Sequence, residues 1–231
     1  FIQSIAVDKT LYSGSILMMP IPSGDSPADK AICSFIRNGG KVILYGSLAD
    51  ASDNLMTLLG MTNTASLSGT FGLSVEQLPV DQLERPYPDC FYHDALLSDG
   101  GQSVLPSDYD DQSVKVLAWA IQDEERRVVC SERQLPDWQG GQVVWLRGTC
   151  SNTVKLGQAL PKPHDPAVYF PMESLSRLVL SRFGYLLRVK KANPEQRNPA
   201  IMIHRCENAF YFSGYSPDKT TELQLRFPLG A

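Results

Sequence analysis

The chain has 231 residues, 43% of them hydrophobic and 20% charged, with a formal net charge of −4. That length can bury a sizeable core in one large domain or two small ones. No apolar run approaches the roughly 18–20 residues that span a bilayer. A mildly acidic chain without a basic cluster has no general attraction for phosphate backbones, so neither membrane nor nucleic acid is an expected partner.

The first residue is Phe1 rather than a methionine, and the stretch after it lacks the charged and apolar regions of a signal peptide, so the chain reads as a piece of a longer protein, processed or excised. The first clear elements form a βαβ unit. Ser15 to Pro20 is a strand, Pro27 to Asn38 a helix, Gly39-Gly40 its stop, and Lys41 to Gly46 a second strand. Ser26 is placed to cap the helix, Pro27 suits its first turn, and Asp29 sets negative charge where the helix dipole favours it. Ala31, Ile32, Phe35 and Ile36 make its apolar stripe, and Gly39 stands where a left-handed cap is wanted. Both flanking strands are continuous apolar runs, as parallel strands covered on two faces should be. A short helix is expected over 52–59, ended by Gly60.

The pattern then breaks up. Small polar residues fill 62–74, and Glu84 to Asp94 packs prolines and aromatics into an expected irregular loop, followed by an acidic cluster at 108–111. Strands are expected over 114–121 and 127–132, joined by the polar turn Gln122-Asp123-Glu124-Glu125, and again over 142–148 after Gly140-Gly141. A second amphipathic helix follows Pro171, with Leu175, Leu178, Val179 and Phe183 on one face and Gly184 at its end. Four short strand-like runs (185–189, 201–205, 209–213 and 222–227) predict a small antiparallel sheet. The organisation expected is an α/β domain over 1–186 and a small antiparallel β domain over 187–231.

Candidate chemistry is sparse. Ser47 follows a strand and precedes a helix, the place of a nucleophile in a strand–turn–helix elbow. Its context, Gly46-Ser47-Leu48-Ala49, lacks the second glycine that such an elbow uses, so a turn or capping role is expected. The histidines are His93, His164 and His204, none at metal-ligand spacing with another; His93, beside Asp94, is a candidate for lining a cleft. Five cysteines (Cys33, Cys90, Cys130, Cys150 and Cys206) lie far apart without a Cys-x-x-Cys pair. That argues against structural zinc and for buried free thiols in a reducing, cytoplasmic compartment, with one disulfide left open. Cys150, after a strand, is a second candidate nucleophile. Tyr87, Phe91, Tyr92, Trp138 and Trp145 offer faces for stacking on sugar rings, Trp145 being better suited to the core. Tyr87, Phe91, Tyr92 and His93 are therefore the candidate ligand-binding residues. No metal or cofactor is expected.

The run from Leu11 to Pro20, followed by Phe35-Ile36-Arg37-Asn38-Gly39-Gly40-Lys41-Val42-Ile43-Leu44, resembles the class I glutamine-amidotransferase-like domain. In particular it is similar to the trimerisation domain of family 42 β-galactosidases. Val116-Leu117-Ala118 and Gly141 to Gly148 resemble the later strands of that domain. Phe183-Gly184 resembles the end of its last helix, and Ile203 to Phe212 the strand pair of a small C-terminal β domain. The resemblance implies a flavodoxin-like, mostly parallel sheet flanked by helices, lacking its first strand and helix ahead of Phe1. It also implies association with the remainder of a larger protein, such as a catalytic barrel, or with copies of itself. The family's catalytic pair resides in that barrel, so no catalytic residue carries over, and the glutaminase cysteine has no counterpart at Ser47.

Three functions follow as expectations. The first is a non-catalytic structural or oligomerisation module of a carbohydrate-active protein. The second is a sugar-binding module using the loop at 84–94. The third is a hydrolase or amidotransferase using Ser47 or Cys150.

Overall fold

The computed structural model describes residues 16–67, 71–76, 91–92, 103–147, 172–184, 186–190, 200–206, 209–215 and 222–226. The opening unit forms as its sequence dictates. Strand β1 (Ile16–Pro20) leads to helix α1 (Pro27–Arg37), capped by the Ser26 hydroxyl, which accepts the Asp29 N–H at 3.2 Å. Ile32, Cys33, Phe35 and Ile36 are its buried stripe. At the C-terminal end the Gly39 N–H donates to the Ile36 carbonyl and the Gly40 N–H to the Phe35 carbonyl. With Gly39 at φ +98, this is a Schellman stop that positions strand β2 (Lys41–Tyr45). Helix α2 (Asp53–Leu59) is capped by Ser52 and closed by Gly60 in the left-handed conformation.

Strands β3 (Met61–Thr64), β4 (Phe71–Val75), β5 (Phe91–Tyr92) and β6 (Ser103–Pro106) precede a long hairpin of β7 (Val114–Gln122) and β8 (Glu125–Arg133). A short 3₁₀ turn at Pro136–Trp138 then leads to β9 (Gln142–Leu146). Among the described residues the main sheet has seven strands in the order β1-β2-β9-β8-β7-β4-β5. Only β1, β2 and β9 run parallel; every other pairing in it is antiparallel. The mostly parallel sheet expected from the sequence is thus corrected to a mixed one. The cause lies in the connections. A parallel crossover takes a dozen or more residues, and both the turn at Asp123-Glu124 and the segment through Trp138 are too short for one. Asp123 takes φ +54 to close the hairpin.

The core lies between one face of this sheet and the two helices. Ile32, Ile36, Leu44, Leu55, Leu59 and Trp145 are almost wholly buried there. Strands β3 and β6 form a separate antiparallel ladder. Glycine is required at Gly141, where a Cβ would collide with the Ile36 carbonyl at the end of α1 and stand 2.9 Å from the Trp138 carbonyl.

The chain divides into two compact units, residues 1–76 with 87–156 and residues 77–86 with 157–231. The second contains helix α3 (Met172–Arg182) and strands β10 (Leu186–Lys190), β11 (Ala200–Cys206), β12 (Ala209–Tyr215) and β13 (Glu222–Arg226). The anticipated apolar face of α3, Leu175, Leu178 and Val179, is buried, as is Phe183 just beyond it. The four expected strands are present, and among the described residues they form two antiparallel pairs, β10 with β13 and β11 with β12, rather than one sheet. No helix among the described residues is long and apolar enough to cross a membrane.

Candidate functional site

Open α/β sheets bind ligands beyond the C-terminal ends of their parallel strands, where helix N-termini also point. Here that rim is formed by the ends of β1, β2 and β9. After β2, Gly46 turns the chain at φ +110. Its N–H donates to the Leu146 carbonyl at 3.0 Å, and its own carbonyl accepts the Trp145 indole N–H, also at 3.0 Å. The next residue, Ser47, uses its hydroxyl oxygen to accept the Ala49 N–H at 3.2 Å. This is a side-chain-closed turn, as the missing second glycine suggested. No histidine of the described residues stands in this unit: His204 is in β11, and His93 and His164 lie outside the described residues.

Beside the turn, Asp29 and Ser52 tie the two helix N-termini together. The Ser52 hydroxyl donates to Asp29 Oδ2 at 2.8 Å and accepts the Leu55 N–H at 3.0 Å. Asp29 is 1% exposed, and its Oδ1 has no hydrogen-bond partner among the described residues. A carboxylate in the first turn of α1 is stabilised by the N-terminal amides and the dipole. Its enclosure makes it a tie between helices rather than an acid or base open to substrate.

The described thiols are equally unsuited to nucleophilic chemistry. Burial, assisted by the charge of Asp29, pushes the Cys33 thiol up to about 11. Burial and Glu132 raise Cys130 as well. The thiolate is the nucleophile, and both residues are held away from it. Both are free and buried. Cys150 lies outside the described residues. No cluster of side chains that could hold a metal ion occurs among the described residues.

A shallow cleft of about 600 Å³ opens between α2, β3 and the turn before β7, lined in part by Asp53, Met56, Asn63, Asp108, Asp111 and Arg133. Arg133 is fixed on every side. Its Nη1 donates to the Thr57 and Leu58 carbonyls at 2.6 and 3.0 Å, its Nε to the Ser113 hydroxyl at 3.1 Å, and its Nη2 to Asp111 at 3.0 Å. It thereby adds a donor to the Thr57 carbonyl, which also accepts the Gly60 N–H at 3.1 Å, and supplies one to the Leu58 carbonyl at the end of α2. Hydrogen bonds from Ser113, with the Arg133 guanidinium beside them, hold the Asp111 carboxyl below the usual carboxylate range. On the sheet nearby, Arg126 lies over the Trp119 ring at 4.6 Å and near Tyr109 at 6.0 Å. None of these residues stood out in the sequence except Asp108 to Asp111 as an acidic run. Arg133 meets Thr57 only in the folded chain, and no local pattern announces such a contact.

The aromatic candidates fall in different places. Phe91 and Tyr92 are not in an irregular loop but form β5, with Tyr92 opposite Phe71 and Phe91 opposite Gly72, and β5 is the outermost described strand of that side. Tyr87 and His93 lie outside the described residues. Trp138 is 3% exposed and Trp145 is fully buried, so both are core residues and neither offers a face to a sugar.

No family model and no curated protein matches the chain. Among solved structures it is similar to a cold-adapted β-galactosidase from Rahnella sp. R3, with a TM-score of 0.45 and 11% identity, over 88% of this chain and 28% of that one. It is also similar to a β-galactosidase from Bacillus circulans sp. alkalophilus, with a TM-score of 0.43 and 12% identity, over 85% of this chain and 26% of that one. The chain therefore spans little more than a quarter of the length of either. At these values the likeness carries no argument about activity, which rests on the residues themselves.

Proposed function

We propose that the chain is a non-catalytic structural or oligomerisation module of a larger glycoside-hydrolase-like, carbohydrate-active protein. In this reading residues 1–186 form an amidotransferase-like, flavodoxin-related domain and residues 187–231 a small β domain. The observation that carries it is the turn after β2. An α/β enzyme of such a layout sets its nucleophile on an exposed, strained elbow with a base in reach. Here Ser47 closes its own turn, Gly46 is anchored to Trp145, and the nearby carboxylate Asp29 is enclosed by the helices. The carbohydrate-active parent is supported by the order of the motifs around Phe35 to Leu44 and Ile203 to Phe212.

Association would use the β1 side of the main sheet. β1 is the outermost of its described strands there. Met18 on β1 is 61% exposed, and Tyr45 on β2 is 38% exposed on the same sheet face. Comparing intact mass under native and denaturing conditions tests the proposal. A homomultiple of 25.5 kDa, or a complex with a second, barrel-sized chain, is the expected result. A single 25.5 kDa species that cleaves a glycoside with saturable kinetics overturns it.

A second reading, sugar binding through Tyr87, Phe91, Tyr92 and His93, is favoured by one observation. Two of these residues are in a strand paired to the main sheet, a firmer frame than a loop. Calorimetry against a panel of oligosaccharides, with the fold verified in parallel, is its test; absence of heat removes it. A hydrolase or amidotransferase using Ser47 or Cys150 would require labelling of one of them by a serine- or thiol-directed probe in the folded protein.

A further inference from the structure

We draw no further inference here: the strongest candidate, the cleft of about 600 Å³ between α2, β3 and the turn before β7, is a group of acidic side chains around an Arg133 already committed to the α2 carbonyls, Ser113 and Asp111, and nothing in the structure shows what would occupy it.

Discussion

Single residues in this protein carry constraints of different kinds. At Gly141 the constraint is space: any side chain meets the carbonyl oxygens of Ile36 and Trp138. Those are backbone atoms, so neither can move aside without shifting the end of α1 or the turn before β9. Gly141→Ala should therefore cost about 3 kcal/mol, read as a lower urea midpoint with an unchanged slope. At Asp111 the constraint is electrostatic. Its folded carboxyl sits below its ordinary range, held first by Ser113 and then by Arg133. As pH falls, the unfolded chain takes up this proton first, near the ordinary Asp value of about 3.9. The stabilisation is complete above that value and is lost as pH falls through the lower folded one. Urea midpoints measured between neutral pH and strong acid should show this loss in the parent chain and a flatter acid limb in Asp111→Asn. At Cys33 and Cys130 burial and raised thiols act together. Neither should react with a thiol reagent at pH 8 until the chain unfolds, as site-resolved mass spectrometry would show. Rapid native labelling of either would contradict the enclosed core described above.

At the scale of elements, α1 and α2 depend on each other as much as on their own sequences. Ser52 caps α2 through Leu55 and also supplies a hydrogen bond to Asp29 in the first turn of α1. Removing the hydroxyl takes away one cap and one of the bonds to an enclosed carboxylate. Ser52→Ala should destabilise by about 2 kcal/mol, combining the usual loss of a cap with a buried acceptor left short of a donor. Ser52→Thr, which keeps the oxygen, should recover most of this in the same denaturation experiment. An equal loss in both variants would mean that packing around residue 52, not the hydroxyl, holds the helices together. At its other end α2 is closed by Gly60 and by Arg133 reaching from the end of β8. A helix this short is marginal alone, so contacts from distant strands supply what its length does not.

For the whole molecule, the main sheet joins two styles of construction. Its β1–β2–β9 side is a parallel, helix-covered α/β layer, and its β8–β7–β4–β5 side is an antiparallel layer. The parallel side has the rim on which enzymes of such a layout place their chemistry, and there the turn after β2 is tied by its own hydrogen bonds, from Ala49 to Ser47 and from Trp145 to Gly46. Among the described residues the same side ends on β1, with Met18 and Tyr45 exposed. Exposed apolar groups on an outer strand are the kind of surface that partner chains cover in stable assemblies, which is what the proposed association draws on. The native mass expected from the proposal is accordingly a multiple of 25.5 kDa or a mass including a second chain, and it should persist on dilution.

Local chemistry was legible in the sequence wherever neighbours along the chain settle the outcome. The cap at Ser26, the stop at Gly39 and the helix ending at Gly60 all follow from residues a few positions apart. So do the polar turn between β7 and β8 and the apolar face of α3. The closed turn at Ser47 was legible too, because the missing second glycine is itself a local fact. What only the tertiary structure decided is pairing and partnership across long separations. Strand direction in the main sheet, the division of the last four strands into two pairs, Phe91–Tyr92 as strand rather than loop, and the burial of Trp138 belong to this class. So does the clasp of Arg133 on α2 and Asp111. Hydrophobic periodicity specifies which face of a strand is buried but not which strand lies beside it. An arginine at the end of a strand gives no sign of which distant carbonyls it will reach. Those choices are made by the packing of the whole core, a collective property that no stretch of this sequence contains by itself.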